Sequence, residues 1–279
     1  GTALAVSLFD FPGRKTLEWA LLLPLAMPAY VVAYAYTDFL QYSGPLQMWL
    51  RHSTGLQGAL WPDIRSLWGA ALVLSLSLYP YVYLLARTAL TERATPLMEA
   101  ARLLGAPLWR RIWRLALPLA RPAIAAGTAL ALMETLADFG VASYFGVQTF
   151  TAGIYKAWLV MDNRVAAAQL ATSLLLLVAL MLKLEQSAQS RLRFANTSGG
   201  THGSEAQALR LHGAHAALAW ALCSLPVLLG FGVPVLLLLT ALAQAGDTGL
   251  PWMRFVDWTW NSLRLGAMTA VLAVGLALA

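Results

Sequence analysis

Long apolar runs alternate with shorter polar ones along almost the whole chain. Five of them, near residues 17–40, 66–88, 118–140, 164–184 and 214–243, each hold roughly the 20 apolar residues that carry a helix across about 30 Å of hydrocarbon. Backbone amides in lipid have no water to bond, so these runs are expected to be helices that satisfy them internally. The single-residue alternation of a membrane barrel is absent. Two further stretches are apolar but incomplete. GTALAVSLF (1–9) is too short to span, and NSLRLGAMTAVLAVGLALA (261–279) stops inside an apolar run. They read as the tail of one helix and the body of another. The expected fold class is an all-α integral membrane protein, truncated at both ends. No basic region precedes residues 1–9, so nothing there resembles a signal peptide.

Composition agrees with a bilayer as solvent: 59% of residues are hydrophobic and 11% charged, against about 25% charged in soluble domains. The net charge of +6 is a topology signal rather than a sign of nucleic acid, because the basic residues sit in alternate loops. Lys and Arg number two in 10–16, seven in 87–121 and four in 183–213, against two in 40–65, two in 139–164 and one in 244–260. That asymmetry puts the first three loops in the cytoplasm. The single Cys223 lies within a span, so disulfides play no part.

One break in the pattern is plain. Residues 186–213 lose apolar periodicity and gather Ser, Gly, Gln and Thr, the composition of a flexible linker. It separates a first group of helices, 1–185, from a second that opens at 214 and runs to 279. The apolar stretches at the two ends share a small-and-aliphatic texture, which suggests a weak internal repeat.

The basic loop 87–121 carries the most specific pattern. Thr95 is a suitable N-cap with Pro96 at the first helical position, and Gly105 stands where a left-handed residue would close the helix. Pro107 can open a second short helix ending before Pro118. In it Leu108, Ile112 and Leu115 fall on one face, and Arg110, Arg111 and Arg114 largely on the other. By composition, an amphipathic helix resting on lipid headgroups explains this as well as a handle for a protein partner does.

The order of the residues favours a partner. Glu99, Ala100, Ala101, Gly105, Leu117 and Pro118, with Leu115 where Ile is usual, resemble the EAA loop of ATP-binding-cassette importer permeases. The stretches 11–40, 78–87 and 133–158 resemble the ferric-iron type, in which two permease halves are fused in one chain. The resemblance implies the helical type I importer fold in a bacterial inner membrane and no cofactor. It implies a separate ATP-binding cassette ATPase, for which 99–118 is the coupling loop, and an extracytoplasmic substrate-binding protein. Sulfate, thiamine and polyamine permeases share the loop. A secondary transporter or channel whose 87–121 loop only rests on lipid is the reading from another class.

The substrate path is less legible. Glu134 and Asp138 lie four apart near one end of a span. Such a pair could attract a cation, and ferric iron is a hard ion suited to oxygen ligands. The favoured reading is that Asp138 ends a helix and Glu134 bonds a neighbouring helix, because iron bound tightly at mid-membrane would be hard to release. The tyrosines 30, 34, 36, 79, 81 and 83 read as an aromatic belt or helix packing, and Pro24, Pro28 and Pro80 as kinks. His202, His212 and His215 near the linker lack a third ligand at sensible spacing, so no metal site is expected. With no GxxxxGK loop and no catalytic triad, the chain is not expected to be an enzyme.

Overall fold

The structure is a computed structural model and describes residues 1–193, 209–244 and 251–278. Helix α1 (Thr2–Leu8) leads through β1 (Phe9–Asp10) into α2 (Arg14–Ala20), a 3-10 turn (Leu23–Ala26), α3 (Ala29–Leu40) and α4 (Pro45–Thr54). Next, α5 (Leu67–Ala89) passes through a π turn (Leu90–Ala94) directly into α6 (Thr95–Leu103). A second continuous run joins α7 (Leu108–Arg111), a π turn (Ile112–Ala116) and α8 (Leu117–Ala137). Short helices α9 (Gly140–Phe145) and α10 (Phe150–Tyr155), then a π turn (Lys156–Val160), precede α11 (Arg164–Arg193). After β2 (Leu209–Arg210) come α12 (Ala214–Val227), a π turn (Leu228–Gly232), α13 (Val233–Gln244) and α14 (Trp252–Leu278).

Among the described residues five helices are long and apolar enough to cross a bilayer: Leu67–Glu92, Leu108–Ala137, Arg164–Leu184, Ala214–Gln244 and Trp252–Leu278. Four fall on expected runs. The run 17–40 does not form one helix, because Arg14–Ala26 and Ala29–Thr54 meet at 89°. Pro28 supplies the cause. It offers no N–H, and it pushes Met27 into extended backbone (φ −109°, ψ 125°). The loop expected over 244–260 is largely helix, since α14 already begins at Trp252.

Prolines also shape the long helices. Three of the four described π turns end two residues before a proline: Ala94 before Pro96, Ala116 before Pro118, and Gly232 before Pro234. A proline cannot donate to the carbonyl four residues back. A wider turn just ahead of it moves the ladder to a longer repeat, and the helix continues.

One compact unit spans Gly1–Leu237 and a second Leu238–Ala279. In the first, two cores lie at opposite ends of α5. One gathers Val6, Leu17, Leu21, Tyr83, Ala86, Leu90, Met98 and Cys223. The other gathers Val32, Tyr36, Ile64, Val73, Val141 and Phe145. Between them α5 and α8 run together. Their contact is so close that a Cβ at Gly127 would stand 2.6 Å from the Val82 Cα. Within the same unit, Phe9 pairs with Leu209 and Asp10 with Arg210 in parallel register, which seats the start of α12 beside α1 and α2. Of the expected linker 186–213, residues 186–193 continue α11, and 194–208 lie outside the described residues. In the second unit, α14 is exposed along its described length.

Candidate functional site

The 99–118 loop is the turn of a helical hairpin rather than two separate short helices. Thr95 does not cap a helix start, because backbone helix runs through it from α5, and Pro96 lies inside that run just beyond the π turn. Likewise the second helix does not stop at Pro118 but continues to Ala137. The turn itself is as the sequence suggests. Gly105 has φ +78°; its N–H donates to the Arg102 carbonyl and that of Ala106 to the Ala101 carbonyl, each at 3.0 Å. This paired bonding satisfies the last carbonyls of α6 and requires the left-handed residue.

The turn presents Leu103 and Leu104, 89% and 87% exposed, beside exposed Ala100 and Arg102. Glu99 and Ala101 are half-buried behind them. On the returning arm Trp109 and Trp113 are exposed with ring centroids 5.1 Å apart, flanked by exposed Arg110 and Arg114. Leu108, Ile112 and Leu115 pack on the first core, as their spacing indicated, and Leu117 and Pro118 are half-buried. Arg111 departs from the expected polar face. It is buried, and its Nη1 donates to the Met98 carbonyl at 3.3 Å. Helical spacing alone puts Arg111 outside; the folding-over of the hairpin gives it a carbonyl across the turn, which a buried guanidinium requires. The result is a braced turn that exposes leucine, tryptophan and arginine together.

Glu134 and Asp138 are not held as a pair. Helix α8 ends at Ala137, and the Asp138 carboxylate accepts from the N–H groups of Val141 (2.9 Å) and Ala142 (3.1 Å), capping α9. Glu134 is exposed on the last turn of α8, within electrostatic range of the Tyr81 hydroxyl. A cavity of about 370 Å³ lies between α5 and α8, and its polar lining is neutral: Ser75, Tyr79, Thr128 and Thr135. Tyr36 and Tyr83 serve packing, donating to the carbonyls of Leu229 (2.5 Å) and Glu18 (3.1 Å). His212 and His215 are exposed, and His202 lies outside the described residues. No group of three His, Cys, Asp or Glu suited to a metal occurs among the described residues.

Two features escaped the sequence reading. Glu18, in α2, forms an ion pair with Arg87 of α5. At the other end of the first unit, residues 41–66 fold into a polar lobe around a cavity of about 300 Å³ lined by Tyr42, Gln47, Trp61, Asp63 and Arg65. The Gln47 amide and Trp61 indole both donate to the Leu40 carbonyl, at 3.0 and 2.9 Å. For Glu18 there was a faint signal, an acid at the very start of the apolar run 17–40.

Five described helices long and apolar enough to cross a bilayer are those of a multi-pass membrane protein. Residues 1–193 match the family described as binding-protein-dependent transport system inner membrane component. The chain belongs to that family: it is an inner membrane protein with the helical type I importer permease fold, and not an enzyme. It is 25% identical to the Fe(3+)-transport system permease protein FbpB 2 of Haemophilus influenzae, over 99% of this chain and 51% of that one. It is 31% identical to the probable sulfate transport system permease protein cysT of Chlorokybus atmophyticus, over 52% of this chain and 50% of that one. With the molybdenum transport system permease protein ModB of Escherichia coli, identity is 34% over 48% of this chain and 57% of that one. The chain thus spans about half the length of these relatives.

Proposed function

We propose that the chain forms part of the membrane pathway of an ATP-driven importer of ferric iron. The hairpin turn around Glu99, Ala100, Ala101 and Gly105 docks on a separate ATP-binding cassette ATPase. The observation that carries this reading is the turn at Gly105, braced by Arg111, which holds Leu103 and Leu104 almost fully exposed on the basic side of the bundle. Exposed leucines at a rigid turn suit a protein groove; a helix resting on lipid would lie along the surface. Leu115, Leu117 and Pro118 then tie the turn to the span behind it. The polar lobe 41–66, on the opposite side by the charge asymmetry, is the surface offered to an extracytoplasmic substrate-binding protein.

Support for ferric iron comes from the alignment that runs through 99% of the chain, linker included, with an iron permease. The same alignment supports reading 1–185 as one permease half, 186–213 as a cytoplasmic linker and 214–279 as the opening of a second half. Glu134, exposed on α8 near the neutral cavity, is the acid available to a passing cation; Asp138 is engaged as a cap. A sulfate or molybdate cargo is the second reading, favoured by the higher local identities of 31% and 34%.

Two measurements test the proposal. A cysteine replacing Leu103 should crosslink to the ATPase subunit in membranes. Cells lacking the gene should lose uptake of radiolabelled ferric iron and keep that of sulfate and molybdate. The absence of any ATPase crosslink from positions 103 and 104 would remove the coupling role. Loss of sulfate or molybdate uptake alone would transfer the cargo to an oxyanion.

A further inference from the structure

Helix α2 meets the end of α5 through one residue held in two ways. The Glu18 carboxylate pairs with the Arg87 guanidinium, while the Glu18 backbone carbonyl accepts from the Tyr83 hydroxyl at 3.1 Å. Tyr83 and Arg87 are four apart and so share a face of α5. The ion pair is largely shielded, with side-chain exposures of 19% for Glu18 and 31% for Arg87. Leu17 and Leu21, flanking Glu18, are buried in the same core as Ala86, Leu90 and Met98. Three residues beyond Arg87 begins the π turn Leu90–Ala94, and beyond it α6 carries Glu99, Ala100 and Ala101 to the exposed turn. In the other direction, the arm Arg14–Ala26 ends at the 89° break before Ala29. Beyond that break, α3 packs in the second core with α9, and α4 belongs to the polar lobe.

We infer that Glu18 and Arg87, steadied by Tyr83, form the strut through which movement of the coupling turn swings the Arg14–Ala26 arm about the Met27–Pro28 break. This rests on the coupling role proposed for Glu99–Pro118. A long helix continuous with the turn carries displacement along its axis as far as Arg87. Apolar contacts of Leu17 and Leu21 can slide, whereas a shielded ion pair with a second bond to the same residue resists sliding. The Met27 N–H still closes the 3-10 turn on the Pro24 carbonyl, and the Pro28 carbonyl accepts from Val31 to open α3, but neither bond crosses the Met27–Pro28 junction, so it is where the arm turns most easily. Glu18 and Arg87 are therefore positioning residues that link the ATPase side to the helix leading to the opposite side.

The test uses the complete transporter, purified with its ATPase subunits and reconstituted in proteoliposomes with its binding protein. The readouts are ATP hydrolysis stimulated by the binding protein and radiolabelled ferric iron taken up per ATP. Glu18→Gln and Arg87→Gln should each keep the ATPase subunits bound and lower both readouts by roughly fivefold or more. The double variant should be no worse than either single, since both remove one interaction. The exchange Glu18→Arg with Arg87→Glu should recover at least half of the loss. Singles that retain wild-type coupling, or losses that multiply in the double variant, would overturn the strut. Should the singles fail to insert, the exchange variant decides: insertion restored together with coupling supports the strut, and insertion restored without coupling overturns it. A wild-type complex that never holds ATPase subunits would overturn the parent reading, and the strut with it.

Discussion

At the scale of single residues, Gly105 and Asp138 show how differently a side chain and its absence can act. Apart from its own chain neighbours, nothing described lies within 4 Å of a Cβ built on Gly105, so the cost of a substitution there is the left-handed backbone at φ +78°. Gly105→Val should therefore destabilise the turn by about 1–2 kcal/mol. Uptake is expected to fall while insertion persists, as followed by transport assay and membrane quantification. Asp138 has the opposite character, since its carboxylate bonds two N–H groups of α9. Asp138→Ala should lower the thermal stability of the purified protein, by about 0.5–2 kcal/mol for a lost cap. Asp138→Asn should retain most of that stability. Unchanged stability in Asp138→Ala together with abolished uptake would instead return this residue to the pathway. The chemistry of both positions was readable from the sequence. The left-handed role of Gly105 follows from glycine near the end of a helical stretch. Asp138 left two readings open, because which N–H groups it meets depends on where α8 stops.

At the scale of elements, the long α5–α8 contact depends on Gly127, where the two backbones approach too closely for a side chain. Gly127→Leu must push the helices apart, an overpacking cost of about 1–3 kcal/mol. The folded fraction extracted in mild detergent should drop, with little change for a leucine at exposed Ala125, which lies outside the α5–α8 cavity lining. The length of the apolar runs located α5, α8, α11 and α12 well, but it placed their ends poorly around the proposed coupling loop. The reason is the wide turns that precede Pro96 and Pro118. A proline following a suitable cap looks like a helix start, and only the conformation of the preceding residues shows that the helix arrives from before. The first span failed for the converse reason. Its composition is continuous from 17 to 40, yet the backbone breaks at Met27.

At the scale of the whole molecule, the charge asymmetry assigns opposite sides of the membrane to the Gly105 turn and the polar lobe. Cysteine substitutions at Leu103 and at His52, both exposed, test this with a membrane-impermeant thiol reagent. Reagent applied outside intact spheroplasts should label position 52 and spare position 103, and inverted vesicles should reverse the pattern. Labelling of both from one side would invalidate the topology and the coupling role together. Hydropathy was enough to specify a helical membrane protein, while basic-residue bias and the Glu-Ala-Ala-x-x-x-Gly spacing supply the orientation and the cytoplasmic turn that the labelling experiment tests. Each of these depends on the local cost of placing side chains in lipid or in a turn. Folding alone decided that Arg111 braces the hairpin from inside, that Glu18 meets Arg87, and that Asp138 serves a helix end rather than pairing with Glu134. Those outcomes depend on partners brought together by packing, and no local pattern of polarity records which partner a buried charge will find.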